Sequence, residues 1–235
     1  MGEKYGLYAE ALLKLGIKTY SLPCCAELCG EERHHADMLV HHVGKNRIFV
    51  CKNVYSKVVS LYKYSCFEFL ESAEALQQKY PRNILLNGLN IGNLFFHNLK
   101  NTDKTLISEY ENKGYKLVNV KQGYSKCSVA VIDESSAITS DCGMAEAMTA
   151  AGIEVLLIRP GYIVLEENHY GFIGGSTVKL SGKRLAFTGS LELHPDKNRI
   201  LRFLENKKTE PVFLTDGPLT DVGSILPVME EDNCS

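Results

Sequence analysis

Residues 141–152, DCGMAEAMTAAG, begin the stretch that decides the fold. Asp141 is a typical helix N-cap, the residues after it favour a helix, and Gly152 is a typical helix end. Residues 153–158, IEVLLI, follow as a continuous apolar run with the length of a strand. This run predicts a strand that is buried on both faces.

A hairpin is predicted directly downstream of this strand. Residues 171–180 (GFIGGSTVKL) and 184–188 (RLAFT) are two strand-like runs, and residues 181–183 (SGK) lie between them. A glycine in so short a connection is typical of a tight hairpin turn. The stretch from Ser140 to Ser190 therefore predicts one unit in the order helix, strand, hairpin.

The same order of elements recurs along the chain. The units predicted in this way have the approximate bounds 5–52, 53–100, 104–140, 141–190 and 195–230. Each unit brings its own hairpin, which argues against a doubly wound sheet of single parallel strands. A closed ring of small sheets is expected, because closure protects the sheet edges. We therefore expect a single α/β domain over residues 1–235, a propeller of five helix–strand–hairpin repeats.

Some units are predicted less regularly than others. The first has a predicted strand at 17–22, between its helix and its hairpin. In the second, a helix is predicted over 67–80 and a strand over 83–88, and 90–96 resemble a hairpin that lacks its return strand. In the fifth, 222–228 precede an acidic tail, and the last return strand is again missing.

The composition is that of an ordinary globular domain. The 235 residues are 45% hydrophobic, enough for a substantial core, and the net charge is -2. A slightly acidic chain has no general attraction for nucleic acid or for an anionic membrane. No apolar run approaches the roughly 20 residues that span a bilayer, and residues 1–6 do not resemble a signal peptide. We therefore expect a cytoplasmic protein with neither membranes nor nucleic acid as partners.

The eight cysteines are interpreted as reduced thiols, because no secretory signal accompanies them. Cys24, Cys25 and Cys29 lie close in sequence to His34 and His35, and together these are ligand types that a soft metal ion accepts. The paired spacing of a zinc ribbon or finger is absent. We therefore expect no metal site and no cofactor, and an oxidative or metal-sensing role of Cys24, Cys25 and Cys29 is the alternative.

Several short phrases recur at the same place in successive units. They are HADMLV at 35–40, IGN at 91–93, YSKCSV at 124–129, IGGSTV at 173–178 and VGSI at 222–225. In its repeat order and in these phrases the chain resembles the pentein superfamily over nearly its whole length. Penteins are five-bladed α/β propellers, and they include guanidine-modifying amidinotransferases and hydrolases and a ribosome anti-association factor.

The resemblance implies where a catalytic site would lie. Catalytic members hold the guanidinium with an acidic residue from the first blade, and they use a histidine from a later blade and a nucleophilic cysteine from the last. Asp37 matches the acidic residue, and its two oxygens suit the parallel N–H groups of a guanidinium. The histidine position falls near Tyr124 or Gly174 and the nucleophile position near Ser224, so neither matches the family pattern. Ser224 and Cys127 are the nucleophiles to test, and whether the chain is an enzyme stays open.

A group of polar side chains is expected to approach the shared axis if the units align in this way. These predicted ligand-binding residues are Asp37, Asn93, Lys126, Ser176 and Asp221. Their alternative role is turn capping on a solvated rim, whereas clefts at such junctions are common ligand sites.

Two functions from different classes are compatible with these observations. The first is a pentein-like protein that binds a small molecule, such as a guanidino compound, or that hydrolyses or transfers a group at a C–N bond. The second is a non-catalytic ring that binds a protein or ribosomal partner, as the likeness to the anti-association factor implies. Mutation of Asp37 separates them, because only the first function depends on that carboxylate.

Overall fold

The computed structural model describes residues 1–166 and 169–229, so Cys234 and the predicted acidic tail from residue 230 onward lie outside the described residues. The helices are Gly6–Lys14 (α1), Ala36–Leu39 (α2), Tyr55–Leu61 (α3), Lys104–Asn112 (α4), Ser125–Ser128 (α5), Cys142–Ala150 (α6) and Lys197–Asn206 (α7). The strands are Val40–His42 (β1), Arg47–Val50 (β2), Glu68–Glu71 (β3), Leu89–Ile91 (β4), Leu94–His97 (β5), Lys116–Asn119 (β6), Val129–Asp133 (β7), Ser136–Thr139 (β8), Glu154–Leu157 (β9), Thr177–Ser181 (β10), Arg184–Phe187 (β11) and Glu210–Phe213 (β12).

Across the described residues, the strands form four sheets of three strands with one shared topology. The sheets are β1-β2-β3, β4-β5-β6, β7-β8-β9 and β10-β11-β12. In each, an antiparallel hairpin is followed by a crossover, and the third strand then pairs in parallel with the second. A parallel pairing requires such a crossover, because a tight turn can only join antiparallel strands.

The observed repeat is therefore hairpin, helix, strand, and the predicted unit has the same elements in permuted order. Strand β9 pairs with β8 of the hairpin before it, with Ala137 opposite Val155. It is an edge strand, and its end residues Glu154 and Leu157 are exposed. The prediction that 153–158 is buried on both faces was wrong for this reason. The helix before it was predicted well, because Asp141 accepts from the Met144 N–H at 2.7 Å.

The second predicted unit needs the largest correction. The helix predicted over 67–80 is absent, and β3 occupies its first part. The remainder is an irregular segment, which is held by the Asn53 side chain through hydrogen bonds to both backbone groups of Leu76, at 2.7 and 3.2 Å. The strand predicted over 83–88 is a series of turns. The hairpin that lacked a return strand is complete, since β4 and β5 pair around a two-residue turn at 92–93.

The two chain ends pack against each other instead of forming a further sheet in the described residues. The strand predicted at 17–22 is reduced to one bridge between Gly2 and Leu22, and 222–228 contain no strand. Leu12 of α1 nevertheless shares a buried apolar cluster with Val222 and Ile225. This cluster joins the beginning of the described chain to its end.

A closed ring of five backbone turns lies at the centre of the molecule. The Asp37 N–H donates to the Gly223 carbonyl at 3.1 Å, and the Asn87 side-chain amide donates to the Asp37 carbonyl at 3.2 Å. The Lys126 N–H donates to the Asn87 carbonyl at 3.1 Å, and the Val222 N–H donates to the Gly175 carbonyl at 3.0 Å. The fourth turn, at 174–176, packs against α5 so closely that a Cβ at residue 174 would lie 2.3 Å from a carbonyl oxygen.

This ring confirms the propeller architecture, because each of four turns leads into the hairpin of its own sheet. The segment at 221–224 supplies the fifth turn and closes the ring onto α2. None of the described helices is long and apolar enough to cross a membrane. Division of the chain into five sequence repeats within one domain remains a proposal.

Candidate functional site

The turns of the ring bring a cluster of polar side chains together. Asp37 comes from α2, Lys126 and Cys127 come from α5, and Asp221 and Ser224 come from the closing segment. Each turn precedes a hairpin or, in the last case, occupies the equivalent place. Side chains that are far apart in sequence therefore meet at the axis.

Asp37 is the centre of this cluster. Its side chain is 1% exposed, and its Oδ2 lies 2.9 Å from Cys127 Sγ and 2.5 Å from Ser224 Oγ. Among the described residues, Oδ1 has no hydrogen-bond partner. A buried carboxylate oxygen without a donor is costly, so this oxygen marks a place where a further donor is needed.

Lys126 brings positive charge to the same place. The residue is half-buried, and its ammonium donates to Ser224 Oγ at 3.3 Å. Burial lowers the pKa of Lys126, and the nearby Asp37, Cys127 and Asp221 oppose that shift. The lysine is therefore easier to deprotonate than one in water.

Asp221 is a second buried carboxylate, and it is held by backbone donors. The N–H groups of Phe172 and Gly223 donate to it at 2.8 and 2.9 Å. Burial raises the pKa of Asp221, and the charge of Asp37 adds to the increase. Its hydrogen bonds fix the closing turn, which gives it a structural task besides its charge.

Cys127 and Ser224 are the two nucleophilic side chains in the cluster. Burial raises the pKa of the Cys127 thiol well above its usual range, and Asp37 raises it further, so Cys127 is a neutral thiol near pH 7. Ser224 has a left-handed backbone with φ of 64°, which is uncommon for a residue other than glycine. Backbone strain of this kind is found at functional sites.

Asn87 is a site residue that the sequence analysis missed. Its amide donates to Cys127 Sγ at 3.2 Å, and its Oδ1 accepts from the N–H groups of Lys126 and Cys127 at 3.0 and 3.3 Å. The signal was its position two residues before β4, which equals the position of Cys127 before β7. The predicted hairpin start concealed this equivalence.

His35 is the second residue whose place was not predicted. Its Nε2 is buried without a partner in the described part of the chain, and it lies beside Asp37 and Cys127. Gly223 packs directly on it, because a Cβ there would lie 2.1 Å from the His35 side chain. The sequence grouped His35 with Cys24, Cys25 and Cys29, whereas the structure groups it with the axial cluster.

An axial cavity of about 180 Å³ adjoins the cluster. Three charged residues line this cavity: Asp37 and Lys126, which belong to the cluster, and Lys179. Most of the remaining wall is apolar, and includes Val40, Leu86, Val178, Leu185, Ile225 and Leu226. A small ligand with a polar end and an apolar body fits such a lining.

The predicted site residues therefore divide into two groups. Asp37, Lys126, Cys127, Asp221 and Ser224 lie together at the axis. Two other predicted residues do not join them. Asn93 is exposed in the turn between β4 and β5, and the buried Ser176 hydroxyl donates to the nearby Ile173 carbonyl at 3.0 Å.

Tyr124 and Gly174, the two residues nearest the expected histidine position, do not supply a general base. The Tyr124 hydroxyl lies 2.9 Å from Glu32 Oε1 and 2.8 Å from the Asn83 amide. Gly174 serves the close packing of two turns. The described cysteines are all free thiols, and those at positions 25, 51 and 127 are buried.

Comparison with known proteins relates the chain to a family and to solved structures of similar fold. The chain matches the family of unknown function DUF6873 over residues 4–226. No curated protein matches the sequence. SxtG, an amidinotransferase from Microseira wollei in the saxitoxin biosynthetic pathway, is similar in structure with a TM-score of 0.56 and 9% identity, over 94% of this chain and 77% of that chain.

A second solved structure gives the same result. The inosamine-phosphate amidinotransferase from Streptomyces griseus has a TM-score of 0.54 and 11% identity, over 94% of this chain and 76% of that chain. At these identities the likeness concerns the fold. The chain thus belongs to the family DUF6873, and its fold is that of the pentein α/β propellers.

Proposed function

We propose that the chain binds a small cationic ligand of the guanidino or amidino type in the axial cavity beside Asp37. The observation that carries this proposal is the buried Oδ1 of Asp37, which has no partner among the described residues. A cationic N–H group supplies a charge-assisted hydrogen bond to such an oxygen, and these are the strong ones. The fold shared with two amidinotransferases supports the guanidino class.

The cavity restricts the size and the charge of the ligand. Its volume of about 180 Å³ is below the ~300–1,000 Å³ of common ligand pockets, so the ligand must be small. Its apolar walls suit a short methylene chain. A cationic ligand binds beside Lys126 with less electrostatic repulsion if the lysine is neutral. Burial lowers the pKa of Lys126 and so favours its neutral form.

Chemistry at a C–N bond is the further step of this proposal. Cys127 and Ser224 both lie within hydrogen-bond distance of Asp37. In that step one of them forms a bond to the guanidino carbon and gives its proton to Asp37 or Lys126. The C–N bond to an amine then breaks, the amine takes that proton, and water or a second amine displaces the protein nucleophile.

The binding proposal is tested by calorimetric titration of the full chain with guanidinium and agmatine. Urea is the control ligand, because it has the shape of guanidinium without the charge. Asp37→Asn keeps the shape of the side chain, and Asp216→Asn changes an exposed carboxylate as the control variant. We expect the unmodified chain and Asp216→Asn to bind a cation, and Asp37→Asn to lose about tenfold or more in affinity. Equal binding by both variants would refute the proposal.

The nucleophile is tested by alkylation with chloroacetamidine and with its neutral counterpart chloroacetamide. If Asp37 attracts cations, chloroacetamidine modifies Cys127 faster than chloroacetamide does, and Asp37→Asn abolishes the difference. The exposed Cys29 is an internal control, because its rates should not respond to that variant. Peptide mass spectrometry gives both rates. If Cys127 reacted with the two reagents at equal rates, Cys127 would be excluded as the nucleophile, and Ser224 would be tested next.

A further inference from the structure

Three residues of the axial cluster have the types and spacing of metal ligands. His35, Asp37 and Cys127 each offer one ligand atom, and these atoms lie within 4.8 Å of one another. The three side chains are buried, with exposures of 3%, 1% and 2%. Imidazole nitrogen, carboxylate oxygen and thiolate sulfur are the three protein donors that Zn²⁺ binds.

A second observation points independently to a ligand at this place. Eight buried side-chain polar atoms lack a hydrogen-bond partner in the described part of the chain, and two of them, Nε2 of His35 and Oδ1 of Asp37, belong to this same cluster. Buried polar groups are ordinarily paired, because an unpaired one is destabilising. A metal ion held by these residues would give the side chains of both His35 and Asp37 a further partner.

We propose that His35, Asp37 and Cys127 form a site for a divalent metal ion that prefers nitrogen and sulfur ligands, with Zn²⁺ as the representative ion. Three protein ligands leave a fourth tetrahedral position for water or for a molecule in the axial cavity. This goes beyond the proposed function and does not require a guanidino ligand. The sequence analysis predicted no metal site. The cysteine of the site proposed here is Cys127 and is not one of Cys24, Cys25 and Cys29, which that analysis considered.

The surroundings hold these ligands in place. The Asn87 amide donates to Cys127 Sγ at 3.2 Å, and Ser224 Oγ lies 2.5 Å from Asp37 Oδ2. Gly223 packs on the side chain of His35. Such outer contacts orient metal ligands and tune their basicity. Tetrahedral zinc places its ligand atoms roughly 3.3–3.8 Å apart, so a separation near the 4.8 Å limit found here must shorten when the ion binds.

Metal binding involves a proton balance at the thiol. On binding, the S–H bond of Cys127 breaks, a sulfur–zinc bond forms and the proton passes to the buffer.

The test is titration of the full chain with Co²⁺, and then displacement of Co²⁺ by Zn²⁺, followed by visible and near-ultraviolet absorption. Tetrahedral Co²⁺ gives intense d–d bands, and a thiolate ligand adds a charge-transfer band. We expect one Co²⁺ per chain with both signals. His35→Gln should weaken binding about 100-fold or more, and Cys127→Ser should remove the charge-transfer band. The control Cys29→Ser should change neither.

The outcomes separate this inference from the proposed function. Binding of Co²⁺ that survives both His35→Gln and Cys127→Ser, or that Cys29→Ser abolishes, would overturn the metal site. Failure of the unmodified chain to bind Co²⁺ or Zn²⁺ would overturn it too. Guanidinium binding is measured on His35→Gln in parallel, since that variant keeps Asp37. Circular dichroism shows that each variant is folded before it is titrated.

Discussion

Replacement of Asn87 by alanine should destabilise the protein far more than the same replacement of Asn93. The Asn87 side chain connects three turns of the ring. It donates to the Asp37 carbonyl at 3.2 Å, and it accepts from the Cys127 N–H at 3.3 Å. Asn93 is exposed in a hairpin turn. The two residues thus provide a matched pair of the same type, one at the axis and one at the surface.

The expected magnitude follows from the groups that lose a partner. Asn87→Ala leaves the Cys127 N–H and the Asp37 carbonyl without that side chain, in a region where both residues are buried. At ~1–3 kcal/mol for each unsatisfied group, the loss is about 3 kcal/mol. For a domain of this size that lowers Tm by about 6–12 °C. Asn93→Ala should stay within about 0.5 kcal/mol.

Urea unfolding followed by circular dichroism gives both free energies of unfolding. Thermal unfolding at a fixed protein concentration is the second measurement. The reasoning would be refuted if Asn87→Ala cost less than about 1 kcal/mol, well below the sum for two groups. It would equally be refuted if Asn93→Ala were as damaging as Asn87→Ala.

Three further predictions concern the same region. Gly223→Ala should lower the free energy of unfolding in urea by at least about 3 kcal/mol, because φ is 66° there and a Cβ would lie 2.1 Å from the His35 side chain. Gly182→Ala is the control and should be tolerated, because a Cβ at that position meets no other atom within 4 Å. Burial lowers the pKa of His41 to about 3 in the folded protein, against ~6.5 in the unfolded chain. Between pH 7 and pH 5 the unfolded chain therefore takes up a proton at His41 that the folded protein does not, and the free energy of unfolding should fall by about 2 kcal/mol. Urea titrations at both pH values should show His41→Gln losing that part of the pH dependence. Lys126→Met should tighten guanidinium binding in calorimetry, because it removes the like charge beside Asp37, and weaker binding would contradict this.

Local signals in the sequence were sufficient for much of the fold. Helices α4 and α6 each have an aspartate cap whose carboxylate accepts backbone N–H groups, and a glycine with positive φ shortly after the last helical residue. Such caps are encoded within a few residues of the helix end. The hairpins β7–β8 and β10–β11 were also predicted from local signals, namely a short turn between two strand-like runs. The choice of pentein fold depended on the recurrence of these local units.

Pairings between distant residues were not encoded locally. Strand β9 follows a helix and precedes a hairpin, and its sequence does not say which of two hairpins it joins. The segment after β3 contains strong helix formers, yet Leu76 is buried and is bonded to Asn53. Tertiary contacts override helix propensity in such cases.

Part of the proposed residue set comes together in the structure. Asp37 and Ser224 were proposed from the positions that the pentein resemblance implies, and Asp37 lies within hydrogen-bond distance of both Cys127 and Ser224. In the second unit the hairpin was placed too late, and this error put Asn93 in the position that belongs to Asn87. The neighbourhood of His35 could not be read from its sequence neighbours, because its partners come from other turns of the ring.

A crystal structure grown with agmatine or guanidinium is the most direct test of the central claim, that Asp37 anchors a small cation in the axial cavity. We predict density for the ligand in that cavity, with a ligand nitrogen about 2.7–3.2 Å from Asp37 Oδ1. The claim would be contradicted by a saturated crystal in which the ligand lies elsewhere and Oδ1 bonds to a group of the protein.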